Sequence, residues 1–204
     1  MQTVKKKVDA LFIICPMFWL KLPSIALAYF SSVITGKTNM LFKFIDLNIE
    51  LYDILKKKKD NETEFIIRNW ENYSIINTSD FVKKLFKLTD TQNIINNLIL
   101  KEIKEKKIKF VFFSVFASNL KFTELLAKQL KQQFEDLKII SGGPEITAAL
   151  TATKTTQSQD NSDNQTTITN AKNLNYRYSP DFFHWSDILT NGEGEKFLSE
   201  FDIN

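Results

Sequence analysis

Few side chains in this sequence could attack, ligate or transfer protons. Cys15 is the only cysteine and His184 the only histidine. A disulfide framework is therefore excluded, as is any metal centre built from several Cys and His ligands. An iron–sulfur cluster held by three or four cysteines of this chain is excluded on the same count. Cys15 ends an apolar run before Pro16, the setting of a core cysteine, and His184 lies among Phe182, Phe183 and Trp185, where a structural role is expected. No catalytic dyad can be argued from two such residues. What remains are loops of small or polar residues: Pro16 to Pro23; Ser114, Phe116, Ser118 and Asn119; Ser141-Gly142-Gly143-Pro144; and Gly192-Glu193-Gly194-Glu195. Glycines let a ligand approach the backbone, and Pro144 at a first helical position would aim helix amides at it. Taken alone, Ser141 to Pro144 is equally well read as a tight turn.

Such loops can act only where the fold gathers them, and the apolar pattern says how. Ala10–Cys15 is a short continuous apolar run stopped by Pro16, as expected of a strand buried on both faces of a parallel sheet. Pro23 opens a helical spacing through Ile25, Ala28, Tyr29 and Ser32 that Gly36 ends. Leu41–Leu47 reads as a second strand, followed by a helix through Tyr52, Ile54 and Leu55 to the Lys56–Lys59 run. Asn61–Leu88 has no clean period and is expected to be an irregular connection with short helices. From Thr91 an amphipathic helix runs to Lys104–Lys107. Ile108–Phe116 is the third strand, Phe122–Phe134 a helix, Leu137–Ile140 the fourth strand and Asp187–Thr190 the fifth. The reading is one α/β domain with a doubly wound, five-stranded parallel sheet, Rossmann-like or flavodoxin-like, which binds ligands at the carboxyl ends of its strands. Residues 1–150 form its main part, 151–175 a polar insertion expected to be flexible because it lacks apolar surface to offset ordering, and 176–204 its last strand and helix.

Composition sets further bounds. The chain has 204 residues, 43% hydrophobic and 25% charged, with 27 basic and 24 acidic residues for a net charge of +3. That field is weak, and the Lys56–Lys59 run has no interleaved aromatics, so no nucleic-acid partner is expected. Lys5, Lys6 and Lys7 precede an apolar stretch, and Ala26-Leu27-Ala28 imitates a signal-peptidase site. Asp9, Pro16, Lys21 and Pro23 interrupt that stretch before it reaches the ~18 apolar residues of a membrane span. A cytoplasmic chain with no membrane partner is the expectation.

Leu22-Pro23-Ser24-Ile25-Ala26-Leu27-Ala28-Tyr29, Asp46-Leu47-Asn48, Phe113-Ser114-Val115-Phe116, Ser141-Gly142-Gly143-Pro144-Glu145 and Gly192-Glu193-Gly194-Glu195 occur in that order. Together they resemble the cobalamin-binding N-terminal domain of radical S-adenosylmethionine enzymes. The resemblance implies cobalamin as cofactor, held by Pro16, Pro23, Ser114, Phe116, Asn119, Gly142, Gly143, Pro144, Gly192 and Glu193. The glycines and Ser114 would take the nucleotide tail, and the first loop would face the corrin. No Asp-x-His-x-x-Gly loop follows the first strand, so cobalt is expected to receive no histidine from that loop. The family continues into a catalytic barrel with a Cys-x3-Cys-x2-Cys motif, absent here, so the chain is expected to be a truncated or split product, inactive alone, with a separate catalytic chain as a possible partner. The alternative is a vestigial or protein-interaction domain whose pocket no longer binds. A flavodoxin-like enzyme or receiver domain is disfavoured, since the first loop offers neither a phosphate-binding Ser/Thr/Gly run nor an acidic cluster.

Overall fold

A computed structural model describes residues 8–17, 20, 28, 31–32, 40–76, 78–157 and 180–191. Strands β1 (Ala10–Ile14), β2 (Phe42–Asp46), β3 (Phe110–Ser114), β4 (Lys138–Gly142) and β5 (Ile188–Leu189) form one sheet in the order β2-β1-β3-β4-β5. Every pairing is parallel, with Ile14 opposite Asp46, Ile13 opposite Phe113, and Ser114 opposite Gly142. Successive side chains of a strand point to opposite faces. Leu11, Ile13, Val111, Phe113 and Ile139 accordingly join the larger core beneath the helices, while Phe12, Ile14, Phe42, Phe112 and Ile140 form a second, aromatic-rich cluster. All five residues of β1 are buried, as its unbroken apolar run requires.

The connection from β2 to β3 is built of helices: α1 (Leu47–Leu55), α2 (Asn61–Arg68), α3 (Tyr73–Ile76), α4 (Ser79–Lys87), α5 (Thr89–Ile95), a π-helical turn (Asn96–Leu100) and α6 (Lys101–Lys106). Two aspartates start its first helices. Asp46 accepts from the Ile49 N–H at 3.1 Å and Asp60 from the Thr63 N–H at 2.9 Å, each satisfying a donor the helix itself cannot. The segment expected to be irregular is thus three short helices, fastened by Trp70, which is buried and donates its indole N–H to Asn48 Oδ1 at 3.0 Å.

Beyond β3, α7 (Leu120–Gln133) turns Leu126, Ala127 and Leu130 into the core, and α8 (Pro144–Gln157) follows β4. The helix continues through the first seven residues of the segment read as a polar insertion, Thr151–Gln157. Thr151 remains in register by donating its hydroxyl to the Thr147 carbonyl one turn back at 2.8 Å. The rest of the insertion, the Gly192-Glu193 segment and most of the helix expected after Pro23 lie outside the described residues; Ala28, Ser31 and Ser32 of that helix are helical.

The two-residue strand β5 holds its place through polar side chains. Asp187 donates its N–H to the Ile139 carbonyl at 2.8 Å and accepts from the Ile139 N–H at 2.7 Å, while Lys131 donates to it at 2.6 Å. Burial pushes the Asp187 carboxyl up, but the Ile139 N–H and the Lys131 ammonium outweigh it and hold the group below its ordinary range. A depressed folded pKa gives stability that is present above the unfolded value and lost as pH falls through the folded one. Asp187→Asn is therefore expected to cost roughly 1 kcal/mol near neutral pH, kept small by solvent screening, with the difference from wild type vanishing in acid. Urea melts of both proteins at a series of pH values check this.

Candidate functional site at the carboxyl edge of the sheet

The chain leaves β1 toward β2 on one side and returns to β3 on the other, so strand order reverses between β1 and β3. In open parallel sheets of this order the crevice outside that reversal is the ligand position. Around it lie the ends of β1 (Cys15, Pro16, Met17), β3 (Ser114 to Asn119) and β4 (Gly142 to Glu145).

At β1, Cys15, Pro16 and Met17 are all buried. Burial pushes the Cys15 thiol up to about 12, beyond what its Thr123 hydrogen bond can offset, and the nearby Asp46 carboxylate pushes it the same way. It is a neutral core group at physiological pH, as the sequence suggested, and no thiolate chemistry is open to it. At β2, Asp46 is half-buried, and desolvation raises its pKa despite the N–H groups of Ile49 and Asn48.

At β3, Ser114 is buried, Phe116 half-buried, and Ala117 exposed. Asn119 is fully buried and its carboxamide turns inward. Its Oδ1 accepts from the Phe116 N–H at 2.9 Å, and its Nδ2 donates to the Ser114 carbonyl at 3.1 Å and to the Cys15 carbonyl at 3.5 Å. The Thr123 hydroxyl in turn donates to the Asn119 carbonyl at 2.9 Å.

At β4, the glycine pair serves the chain's own packing. A Cβ on Gly142 would lie 2.3 Å from Thr190 Oγ1, and one on Gly143 would lie 2.7 Å from the Val115 carbonyl oxygen. Gly143 also has φ +107°, a conformation that L side chains rarely adopt. The close approach lets Val115 N–H donate to the Gly142 carbonyl at 2.8 Å and Glu145 N–H to the Val115 carbonyl at 3.4 Å, joining the β3 and β4 loops. Pro144 is exposed at the start of α8.

Of the ten residues expected to touch a cofactor, Pro16, Ser114, Phe116, Asn119, Gly142, Gly143 and Pro144 stand at this one edge; Pro23, Gly192 and Glu193 lie outside the described residues. Among the described residues of this edge, Ala117 and Pro144 are exposed and Phe116, Gly142, Gly143 and Glu145 half-buried. Thr190 and Val115, which dictate the glycine pair, carried no signal in the sequence, since their proximity depends on strand pairing. Among the described residues, no three or more His, Cys, Asp or Glu side chains gather to hold a metal ion, and no helix is long and apolar enough to cross a membrane.

These features define an α/β protein with the parallel 2-1-3-4-5 sheet of the flavodoxin-like class. Compared with known proteins, the chain matches no family model, no curated protein and no solved structure.

Proposed function

We propose that the chain is a cobalamin-binding module of the kind that precedes the catalytic barrel in radical S-adenosylmethionine enzymes, cytoplasmic and inactive in radical chemistry by itself. The observation that carries this reading is the convergence of Pro16, Ser114, Gly142 and Gly143 on adjacent strand ends at the reversal of strand order. The first loop and the Phe116 ring would face the corrin, and Ser114 with the Gly143 backbone would border the nucleotide tail. Bound cobalamin would supply methyl carriage or assist a radical step. The chain's own residues would hold and orient it, and no first-loop histidine would reach cobalt.

A second reading, a vestigial or interaction domain, is favoured by one observation: the glycine pair and Asn119 are satisfied by the chain's own atoms. A melting curve with hydroxocobalamin separates the two. At a hundredfold its dissociation constant a ligand adds about 2.7 kcal/mol, which for a chain of this size raises the melting temperature by roughly 5–10 °C. That shift is the expected result; an unchanged melt favours the second reading.

A further inference from the structure

We infer that Asn119 is a positioning residue that sets the distance between the β1 and β3 loops, and so the width of the crevice between them. The inference rests on the reading of this edge as the ligand site. The carboxamide is fully buried and offers nothing outward. It joins three backbone groups: the Phe116 N–H, the Ser114 carbonyl and, across 104 residues of sequence, the Cys15 carbonyl. Two of these belong to the β3 loop and one to the end of β1, the strands on either side of the reversal. Thr123 in turn fixes the Asn119 backbone, donating its hydroxyl to the Asn119 carbonyl at 2.9 Å. One acceptor and two donors, at this side-chain length, are what asparagine alone supplies. Leucine offers none of them, and ionised aspartate offers only acceptors to two carbonyl oxygens.

That last contrast gives a test with a distinctive pH profile. In Asn119→Asp the buried carboxyl faces the Ser114 and Cys15 carbonyls, so its pKa is expected to rise. Its neutral form can donate one O–H to a carbonyl and accept from Phe116 N–H; its ionised form cannot donate. The loops should therefore be held at low pH and released as pH rises through the raised pKa. The neighbouring titratable groups are the Cys15 thiol, which stays neutral, Asp46 at the end of β2, Lys121 and Glu124 on α7, paired at 3.2 Å, and Glu145 at the start of α8. All are shared with wild type, so the difference between the two proteins isolates position 119.

Two readouts are needed: hydroxocobalamin affinity, and amide exchange protection without ligand at Val115 and Asn119, whose N–H groups donate to the Gly142 and Phe116 carbonyls. Asn119→Asp is expected to bind about tenfold more weakly than wild type near pH 8 and to recover most of that near pH 5.5, with protection following the same course. Parallel pH profiles for the two proteins, in affinity and in protection, would overturn the inference. If wild type retains no corrin, the reading of the site fails and the exchange profile alone decides the role of Asn119. Should Asn119→Asp not fold, Asn119→Ser, which keeps a small polar group but loses the carboxamide's bonds to the Ser114 and Cys15 carbonyls, takes its place. Faster exchange at Val115 and Asn119 in that variant supports the inference, and unchanged exchange refutes it.

Discussion

Gly143→Ala is expected to destabilise the protein by about 3–5 kcal/mol, a large part of the 5–15 kcal/mol typical of a folded domain. Two costs coincide at this residue. The backbone stands at φ +107°, where an L residue is strained. The added methyl would also sit 2.7 Å from the Val115 carbonyl oxygen and 2.8 Å from the Val115 nitrogen. Both atoms belong to backbone held by the sheet, since Val115 N–H is bonded to the Gly142 carbonyl, so neither can rotate away. Gly142→Ala meets instead the buried Thr190 Oγ1, a side-chain atom that must turn away from the Ser141 carbonyl it bonds at 3.4 Å, and should cost less, about 1–3 kcal/mol. Urea denaturation reports both, as a fall in midpoint at unchanged slope. Equal losses for the two alanine variants would mean that the backbone at Gly143 yields more readily than its packing indicates.

Trp70→Ala should cost about 3–5 kcal/mol, and Trp70→Phe about 1–3 kcal/mol. The indole is buried at 2% exposure, meets the Tyr52 ring edge-on at 5.3 Å, and donates to Asn48 Oδ1. Alanine removes the packing and leaves a cavity between α1 and the turn after α2. Phenylalanine keeps most of the contact area but takes away the donor to a buried amide oxygen. The difference between the two variants therefore separates packing from hydrogen bonding. Because Trp70 holds the helical excursion against α1, near-ultraviolet circular dichroism should lose signal in the alanine variant before the whole fold melts. A Trp70→Ala protein as stable as wild type would show that the excursion is held by other contacts.

The sheet was legible in the sequence for a simple physical reason. A strand buried on both faces must be apolar throughout, so Ala10–Cys15 and Ile108–Phe116 announce themselves, and Pro16 marks where the first stops. The helical excursion was less legible, because Trp70 finds Asn48 across 22 residues and no local period encodes that contact. Thr151–Gln157, whose polar composition gives no helical period, extends a helix already started by Pro144 and anchored by buried Ile146 and Ala149. At the candidate site, position was readable and direction was not. Gly142-Gly143 and Asn119 have the residue types of a ligand loop and also those of a tight, internally bonded turn. Which they are depends on Thr190, Val115 and the Cys15 carbonyl, brought in by other strands.

The most direct test of the cobalamin reading is gel filtration of the purified chain after incubation with hydroxocobalamin, following corrin absorbance across the protein peak. The expected result is co-elution of about one corrin per chain, abolished in Ala117→Trp, which places a large ring at an exposed position on the crevice without disturbing the core. A colourless protein peak, or equal retention by Ala117→Trp, would contradict the assignment of cobalamin to this edge.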